Sequence, residues 1–401
     1  MSGSAKADSE STIAATVGNT PINVAEIAGL LDFKTEQGDV LIVTYPKTGT
    51  TWMQQMCHQI RTGGHVDFDE VSDEGIVPWL EVGPFSGIDV SLPQVAQPRC
   101  FKTHGRLSEL SFLEAAGSRY ICMLRDPEAT MISKFKFEHS KHNGYSDKLD
   151  VNDWALEHFL PSEDQPFEKT IWNFYLEIWK CRKIAHVLIV VYEKLKTDVA
   201  SYIPRIASFM GLPVPASDKQ ARIEELCSFD WMSKHQHLFD DHHMHGRHEA
   251  FKAQFPELEQ QKAAGKASVK GKGKGKDKGR SKGKDDKPKP TPKVGLQLGD
   301  EFNTKVNEET RQLLAKAWRE HVTPVTGHQT YEEMAADLSS MHFNSHVERT
   351  KKELDNSDGS YRMWFFYIFL FLMVASRLVS AFNYFAYGTP VIRPHGPRSD
   401  M

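Results

Sequence analysis

The stretch DVLIVTYPKTGTTWM, residues Asp39 to Met53, decides how this chain folds. Val40, Leu41, Ile42 and Val43 form a short apolar run rich in β-branched residues, which reads as a buried strand. Pro46 ends that strand because it has no N–H to give to a ladder. Gly49 permits a tight backbone, with no Cβ in the way. From Thr50 the apolar positions Trp52, Met53, Met56, Cys57 and Ile60 follow a helical spacing. Strand, polar loop and helix N-terminus in that order present free backbone N–H groups and a positive dipole end, the elements of an anion site. Thr48, Thr50 and Thr51 add hydroxyl donors, and Lys47 adds a mobile charge. An ordinary strand–turn–helix junction with a threonine cap is the plainer reading of the same residues.

The loop is not a Walker A motif, because Lys47 precedes Gly49 and position 44 is not glycine. Further runs of the same kind follow. Cys100 and Phe101 suggest a strand ending at Lys102-Thr103-His104. Tyr120 to Leu124 (YICML) and Val187 to Val191 (VLIVV) are two more buried strands, ended by Arg125-Asp126-Pro127 and by Tyr192-Glu193. Strand ends in open parallel sheets are where ligands bind. A histidine there can act as a general base near neutral pH, and Lys102 can neutralise developing charge. Arg125 offers a planar fork suited to phosphate, and Ser133 lies eight residues further on, about two helical turns into the next helix. The chain holds 18 histidines, so an arbitrary one is inert, and an Arg–Asp surface pair is the plain alternative for Arg125.

Composition bounds the rest. The chain has 401 residues and a net charge of −4. That balance hides an asymmetry: Gln261 to Lys293 carries 13 Lys/Arg against 3 Asp, so the remainder is strongly acidic. Five scattered cysteines with no C-x-x-C argue for a reducing compartment, without a disulfide framework or a zinc site. The N-terminus lacks the apolar core of a secretory signal. Residues 1–22 read as a disordered leader, and Asn23 to Leu31 as a short helix. Asn152 to Ile184 is helical and aromatic-rich, a core stripe. Asp198 to Met210 is an amphipathic helix closed by Gly211, and Glu308 to His321 is the last helix of the body.

The ordered set of motifs resembles the cytosolic sulfotransferase family. It comprises Tyr45-Pro46-Lys47-Thr48-Gly49-Thr50-Thr51-Trp52, Pro78-Trp79-Leu80-Glu81, Lys102-Thr103-His104, Arg125 with Ser133, Tyr192-Glu193, and Ser228-Phe229. The resemblance covers roughly residues 25–330, less the basic insert. It implies a three-layer, P-loop-like α/β domain around a central parallel sheet. The donor it implies is 3′-phosphoadenosine 5′-phosphosulfate, used as co-substrate without a metal. Residues Thr48, Gly49, Thr50 and Thr51 would then hold the 5′-phosphosulfate, and Arg125 and Ser133 the 3′-phosphate. Trp52, Tyr192 and Phe229 would enclose the adenine. His104 would take a proton from a hydroxyl or amine of a small-molecule acceptor, with Lys47 and Lys102 stabilising charge, and Trp79 would wall the acceptor pocket. In the family's lid, Arg-Lys-Gly-x-x-Gly-Asp-Trp, which holds the 3′-phosphate, the arginine is missing here, Val294 occupies the lysine position, the gap is one residue longer and Glu301 replaces the tryptophan.

Outside that body, residues 261–293 are low-complexity Lys/Gly/Pro, a disordered basic insert attractive to an anionic surface through charge alone rather than to a specific nucleic acid. His242, His243, His245 and His248 read as a solvated loop rather than a metal site. Met363 to Ser376 is almost entirely apolar, and with Leu378 to Tyr387 it approaches the roughly 20 residues a bilayer span needs. The domains expected are therefore 23–260 and 294–335 for the enzyme, a linker 336–361, a transmembrane helix 362–387 and a tail 388–401. The catalytic body would sit on the cytoplasmic side of a membrane. A membrane-tethered adaptor without activity, or an atypical nucleotide kinase, are the alternatives.

Overall fold

In a computed structural model of the chain, residues 15–17, 20–22, 33–81, 88–110, 117–140, 150–163, 165–242, 293–294 and 302–341 are described below. The chain divides into two compact units, residues 1–346 and 347–401, and all the described residues lie in the first. The expected transmembrane stretch 362–387 and nearly all of the basic insert lie outside the described residues. Among the described residues no helix is long and apolar enough to cross a membrane. The leader expected to be unstructured contains a short antiparallel pair, β1 (Ala15–Val17) with β2 (Thr20–Ile22). Its β-branched residues flank Gly18-Asn19, a two-residue hairpin signal.

The centre is a four-stranded parallel sheet of β3 (Val40–Thr44), β4 (Cys100–Thr103), β5 (Arg119–Leu124) and β6 (Val187–Val191), in the order β4-β3-β5-β6. All four runs expected as buried strands are therefore strands of one sheet. Alternate residues face opposite layers, as the strand period requires. Leu41, Val43, Phe101, Tyr120 and Cys122 join one apolar cluster with Trp154, Trp172 and Tyr175. Val40, Ile42, Cys100, Ile121 and Leu188 join the other with Met53, Met56 and Ile203. Helices cover both faces, so the strands need apolar residues at every position.

The chain leaves β3 toward β4 on one side of the sheet and returns to β5 and β6 on the other. This reversal opens a crevice between the carboxyl ends of β3 and β5, the usual ligand position in such sheets. The opposite end of the sheet is closed by the buried ion pair of Arg99 with Asp39, at 2.6 and 3.0 Å.

Helix α1 (Thr50–Thr62) follows β3. Near its end, buried Arg61 donates to the carbonyl oxygens of Ile76, Ala96 and Pro98 and to Gln94 Oε1. One guanidinium thus ties together described parts of the irregular stretch before β4. Helix α2 (Pro127–His139) follows β5, with Asp126 as its N-cap accepting from Ala129 N at 2.7 Å. The aromatic region expected to be helical from Asn152 to Ile184 is two helices, α3 (Val151–His158) and α4 (Ile171–Cys181). Pro161 and Pro166 lie in the break, where neither can donate to a continuing helix. The helix expected over Glu308 to His321 is α-helical to Ala317 and widens into a π-helical turn from Trp318 to Val322.

Candidate active site

The loop after β3 closes on itself. Thr48 donates from both N and Oγ1 to the Tyr45 carbonyl oxygen, at 3.2 and 2.7 Å. The Thr48 hydroxyl is therefore part of the loop's own scaffold. Lys47 adopts a φ of 72° and Gly49 one of 108°, so the chain turns through two left-handed residues into α1. Gly49 is the helix N-cap and has no side chain to cap with. The first-turn N–H groups of α1 have no intrahelical acceptor by geometry and point toward the crevice end of the sheet. The threonine cap of the plainer reading is not formed, since the N-cap is Gly49, and Thr50 Oγ1 pairs with Thr44 Oγ1 at 2.7 Å.

Gly49 also answers a steric demand. A Cβ there would stand 2.8 Å from Tyr192 Cδ2 and 2.9 Å from Met123 Cε. Tyr192, at the end of β6, fills that space and meets Trp52 edge-on at 5.4 Å. The Arg125 guanidinium lies 4.5 Å from the Tyr192 ring centroid. Trp52 is held by its Nε1 donating to the Cys227 carbonyl oxygen at 2.7 Å. Two residues further on, Phe229 begins helix α5 (Phe229–Lys234), capped by Ser228, and is 67% exposed. Such exposure sets Phe229 apart from the core aromatics and leaves its ring open to a ligand.

Arg125 is fixed from three sides. Its Nη1 donates to the Lys47 carbonyl oxygen at 2.8 Å, and Tyr175 OH donates to its own carbonyl. The next residue, Asp126, donates its N–H to Glu193 Oε1 at 2.9 Å, and Tyr331 OH donates to the other Glu193 oxygen at 2.7 Å. The crevice between β3 and β5 is thus bridged by main-chain and side-chain bonds. Ser133 lies on α2, half-buried, two turns from the same strand end.

At the end of β4 stand Lys102, Thr103 and His104. The Pro78 to Glu81 segment runs alongside: Lys102 N donates to the Pro78 carbonyl and Leu80 N to the Lys102 carbonyl, both at 2.9 Å. This parallel bridge puts the Trp79 ring 5.0 Å from the His104 ring, edge to face, and 3.9 Å from Lys102 Nζ. The fully buried Glu81 Oε1 accepts from Thr103 Oγ1, from His104 N at 2.7 Å and from Gly105 N at 2.8 Å. Burial raises the pKa of that carboxyl.

His104 Nδ1 lies 2.8 Å from the Thr44 carbonyl oxygen. A carbonyl can only accept, so the proton sits on Nδ1 and Nε2 carries the lone pair. Burial and the neighbouring Lys102 lower the imidazole's pKa to about 3, against the Thr44 bond. The ring is neutral at physiological pH. Lys47, whose ammonium lies 4.0 Å from the Phe137 ring centroid, is lowered to about 7 by burial and by Arg125 and Lys102. Lys102 is lowered to about 8, chiefly by burial. A neutral base, the Arg125 guanidinium and two lysines of lowered pKa, Lys47 and Lys102, thus gather at neighbouring strand ends. Such a set can hold an anion and accept a proton beside it.

Residues 37–268 match the sulfotransferase domain family. The chain belongs to that family. Cytosolic sulfotransferase 1 of Arabidopsis thaliana is 26% identical over 221 residues, covering 50% of this chain and 66% of that protein, just under two thirds of its length. Sulfotransferase 4A1 of Mus musculus is 28% identical over 51% of this chain and 70% of its own. The amine sulfotransferase of Oryctolagus cuniculus is 30% identical over 51% and 67%. Among solved structures, mouse sulfotransferase SULT7A1 complexed with PAP aligns over 53% of this chain and 72% of its own, with a TM-score of 0.41 and 22% identity. Retinol dehydratase in complex with androsterone and inactive cofactor PAP aligns over 54% and 71%, with a TM-score of 0.42 and 17% identity.

Of the motifs named from sequence, Tyr45 to Trp52, Lys102 to His104, Arg125 and Tyr192-Glu193 follow the ends of β3, β4, β5 and β6, while Pro78 to Glu81 runs beside β4, Ser133 lies on α2 and Ser228-Phe229 opens α5. Sequence reasoning missed three contributors. Thr44 fixes the histidine tautomer through its main chain, which leaves no trace in residue identity. Glu81 was visible only as the last letter of Pro-Trp-Leu-Glu, although a carboxylate in an otherwise apolar run asks for buried donors. Asp241 lies beside the histidine cluster, and its pairing with Lys293 spans 52 positions. His242, expected in a solvated loop, bonds Asp240 at 2.6 Å and lies 3.7 Å from buried Glu70. Glu70, Asp240 and His242 present ligand atoms within 4.8 Å of one another. His243, His245 and His248 lie outside the described residues.

Proposed function

We propose that this sulfotransferase moves a sulfuryl group from 3′-phosphoadenosine 5′-phosphosulfate to a hydroxyl or amine of a small-molecule acceptor, with His104 as the general base. The observation that carries the reading is the Nδ1 bond of His104 to the Thr44 carbonyl at 2.8 Å, which leaves Nε2 unprotonated beside Lys102. The donor supplies an activated S–O bond. Backbone N–H groups of Gly49, Thr50 and Thr51 and the Thr51 hydroxyl hold its 5′-phosphosulfate end, on the scaffold that Thr48 closes. Arg125 and Ser133 hold the 3′-phosphate, and Trp52, Tyr192 and Phe229 enclose the base by ring faces.

His104 Nε2 takes the acceptor proton as the acceptor oxygen or nitrogen bonds to sulfur. The bond from sulfur to the bridging oxygen breaks, and its electron pair leaves on the 5′-phosphate. Lys47 and Lys102 face the charge that grows on the bridging and equatorial oxygens. Trp79, edge-on to His104, walls the acceptor side.

The test is His104→Ala in the full chain. Turnover is expected to fall by about two to four orders of magnitude, the usual contribution of a general base, while 3′-phosphoadenosine 5′-phosphate still binds. Loss of nucleotide binding in that variant contradicts the assignment.

Two further elements belong to the same proposal and rest on sequence alone. The apolar stretch 362–387 tethers the enzyme to a membrane with its catalytic body cytoplasmic, and the 261–293 insert supplies positive charge toward an anionic surface. Flotation of the full chain with vesicles, lost when residues 362–387 are removed, tests the tether.

A further inference from the structure

Lys293 closes the basic insert in sequence, yet its side chain lies inside the protein beside the end of β4. Its Nζ donates to Asp241 Oδ2, and Lys102 Nζ lies 4.0 Å from the same oxygen. The side chains of Lys102, Asp241 and Lys293 are 3%, 7% and 11% exposed. Val294 packs against the apolar cluster on that face of the sheet, which fixes the backbone at this point. Asp241 holds a left-handed φ of 57°, a region that Asp enters more readily than most residues other than glycine.

Two ammonium groups therefore share one carboxylate oxygen, away from water, within the group of side chains that contains Trp79 and His104. Repulsion between like charges at such low exposure is large. Lys47 adds to it, so three lysines face the carboxylates of Asp241 and Glu70. Burial and Lys102 drive Lys293 well below the usual lysine range, with Glu70 opposing. A small anion with several oxygens relieves this arrangement.

We propose that Lys293 is a further catalytic cation of this enzyme, held by Asp241 in the free protein and facing, with Lys102, the equatorial oxygens of the migrating sulfuryl group. The inference rests on the sulfotransferase reading above. It departs from what the lid motif implies, because the lid belongs to the 3′-phosphate, whereas the charged neighbours of Lys293 are Asp241, Lys102, Glu70 and Lys47.

The experiment compares full-chain wild type with Lys293→Met and Lys293→Arg. It measures the Kd of 3′-phosphoadenosine 5′-phosphate by calorimetry and kcat with the phosphosulfate donor. Lys293→Met is expected to lower kcat by about tenfold to a hundredfold, with Lys293→Arg recovering part of it. The nucleotide Kd, which reports no sulfuryl contact, is expected to stay within about twofold. Unchanged kcat overturns the proposal. So does a weakened nucleotide Kd with kcat preserved, since that is the signature of a 3′-phosphate lid. If Lys293→Met does not fold, Lys293→Gln keeps a hydrogen bond to Asp241 and decides by the same kcat criterion. A wild-type protein that neither binds the nucleotide nor transfers sulfate overturns the underlying sulfotransferase reading, a result distinct from failure at Lys293 alone.

Discussion

His104 and Thr44 sit at the ends of adjacent strands β4 and β3, and the imidazole Nδ1 is bonded to the Thr44 carbonyl oxygen at 2.8 Å. The sheet therefore sets the histidine tautomer through its backbone. The Thr44 hydroxyl lies 3.2 Å from the same nitrogen and 2.7 Å from Thr50 Oγ1, so the base and the first turn of α1 share one support.

The pH profile follows from these groups. His104, lowered to about 3 by burial and Lys102, stays neutral throughout the physiological range, so its protonation does not produce an acid limb above pH 5. Lys47 and Lys102, lowered to about 7 and about 8 chiefly by burial, lose positive charge as pH rises through those values. Donor kcat/KM is expected to fall from pH 7 to pH 9, and a pH–rate profile measures it. A rise over that interval contradicts the assignment of these lysines.

Stability runs the other way. Each lysine binds its proton less tightly folded than unfolded, where the ordinary value is 10.5. Between about 7 and 10.5 the unfolded chain carries more protons, so stability of the ligand-free protein rises with pH over that window. Chemical denaturation at pH 7 and pH 9 checks the sign. Binding of an anionic nucleotide restores the lysine charge, so proton uptake on binding at pH 8 is expected in calorimetry across buffers of different ionisation enthalpy.

Glu81 positions the base through its bonds to Thr103 Oγ1 and His104 N. Glu81→Ala strands the Thr103 hydroxyl and the His104 N–H, whereas Gly105 N keeps Thr103 Oγ1 at 2.9 Å. About 1–3 kcal/mol of stability is expected to be lost, the cost of leaving buried donors unmade. Turnover should fall more than nucleotide affinity, and Glu81→Gln, which keeps an acceptor oxygen, should recover much of the loss. Denaturation midpoints and kcat measured together separate the two effects.

Gly49→Ala meets two penalties. The residue holds a φ of 108°, and its Cβ would press on Tyr192 and Met123. A left-handed alanine alone costs on the order of 1–3 kcal/mol, and the contact with Tyr192 adds to it. Because Tyr192 also stands against Arg125, nucleotide affinity should drop with stability.

The sheet was legible because β3, β5 and β6 are buried on both faces and read as apolar runs, while β4 is marked by Cys100-Phe101 before its polar end. The strand-end residues followed from them, since a strand's end fixes what comes next in space. The split at Pro161 and Pro166 was written in the sequence but outweighed there by the aromatic stripe, which is core in both helices. Lys293 was illegible for a different reason. Its neighbours at 102 and 241 are distant in sequence, and the basic composition around it describes a solvated tract rather than a buried ammonium.

The most direct measurement is calorimetric titration of the full chain with 3′-phosphoadenosine 5′-phosphate, run in parallel with ATP·Mg²⁺. Saturable binding of the bisphosphate nucleotide, with no comparable binding of ATP·Mg²⁺, is the predicted result. Binding of ATP·Mg²⁺ alone, or of neither nucleotide, contradicts the assignment of the loop at Lys47 to Thr51 to a phosphosulfate donor.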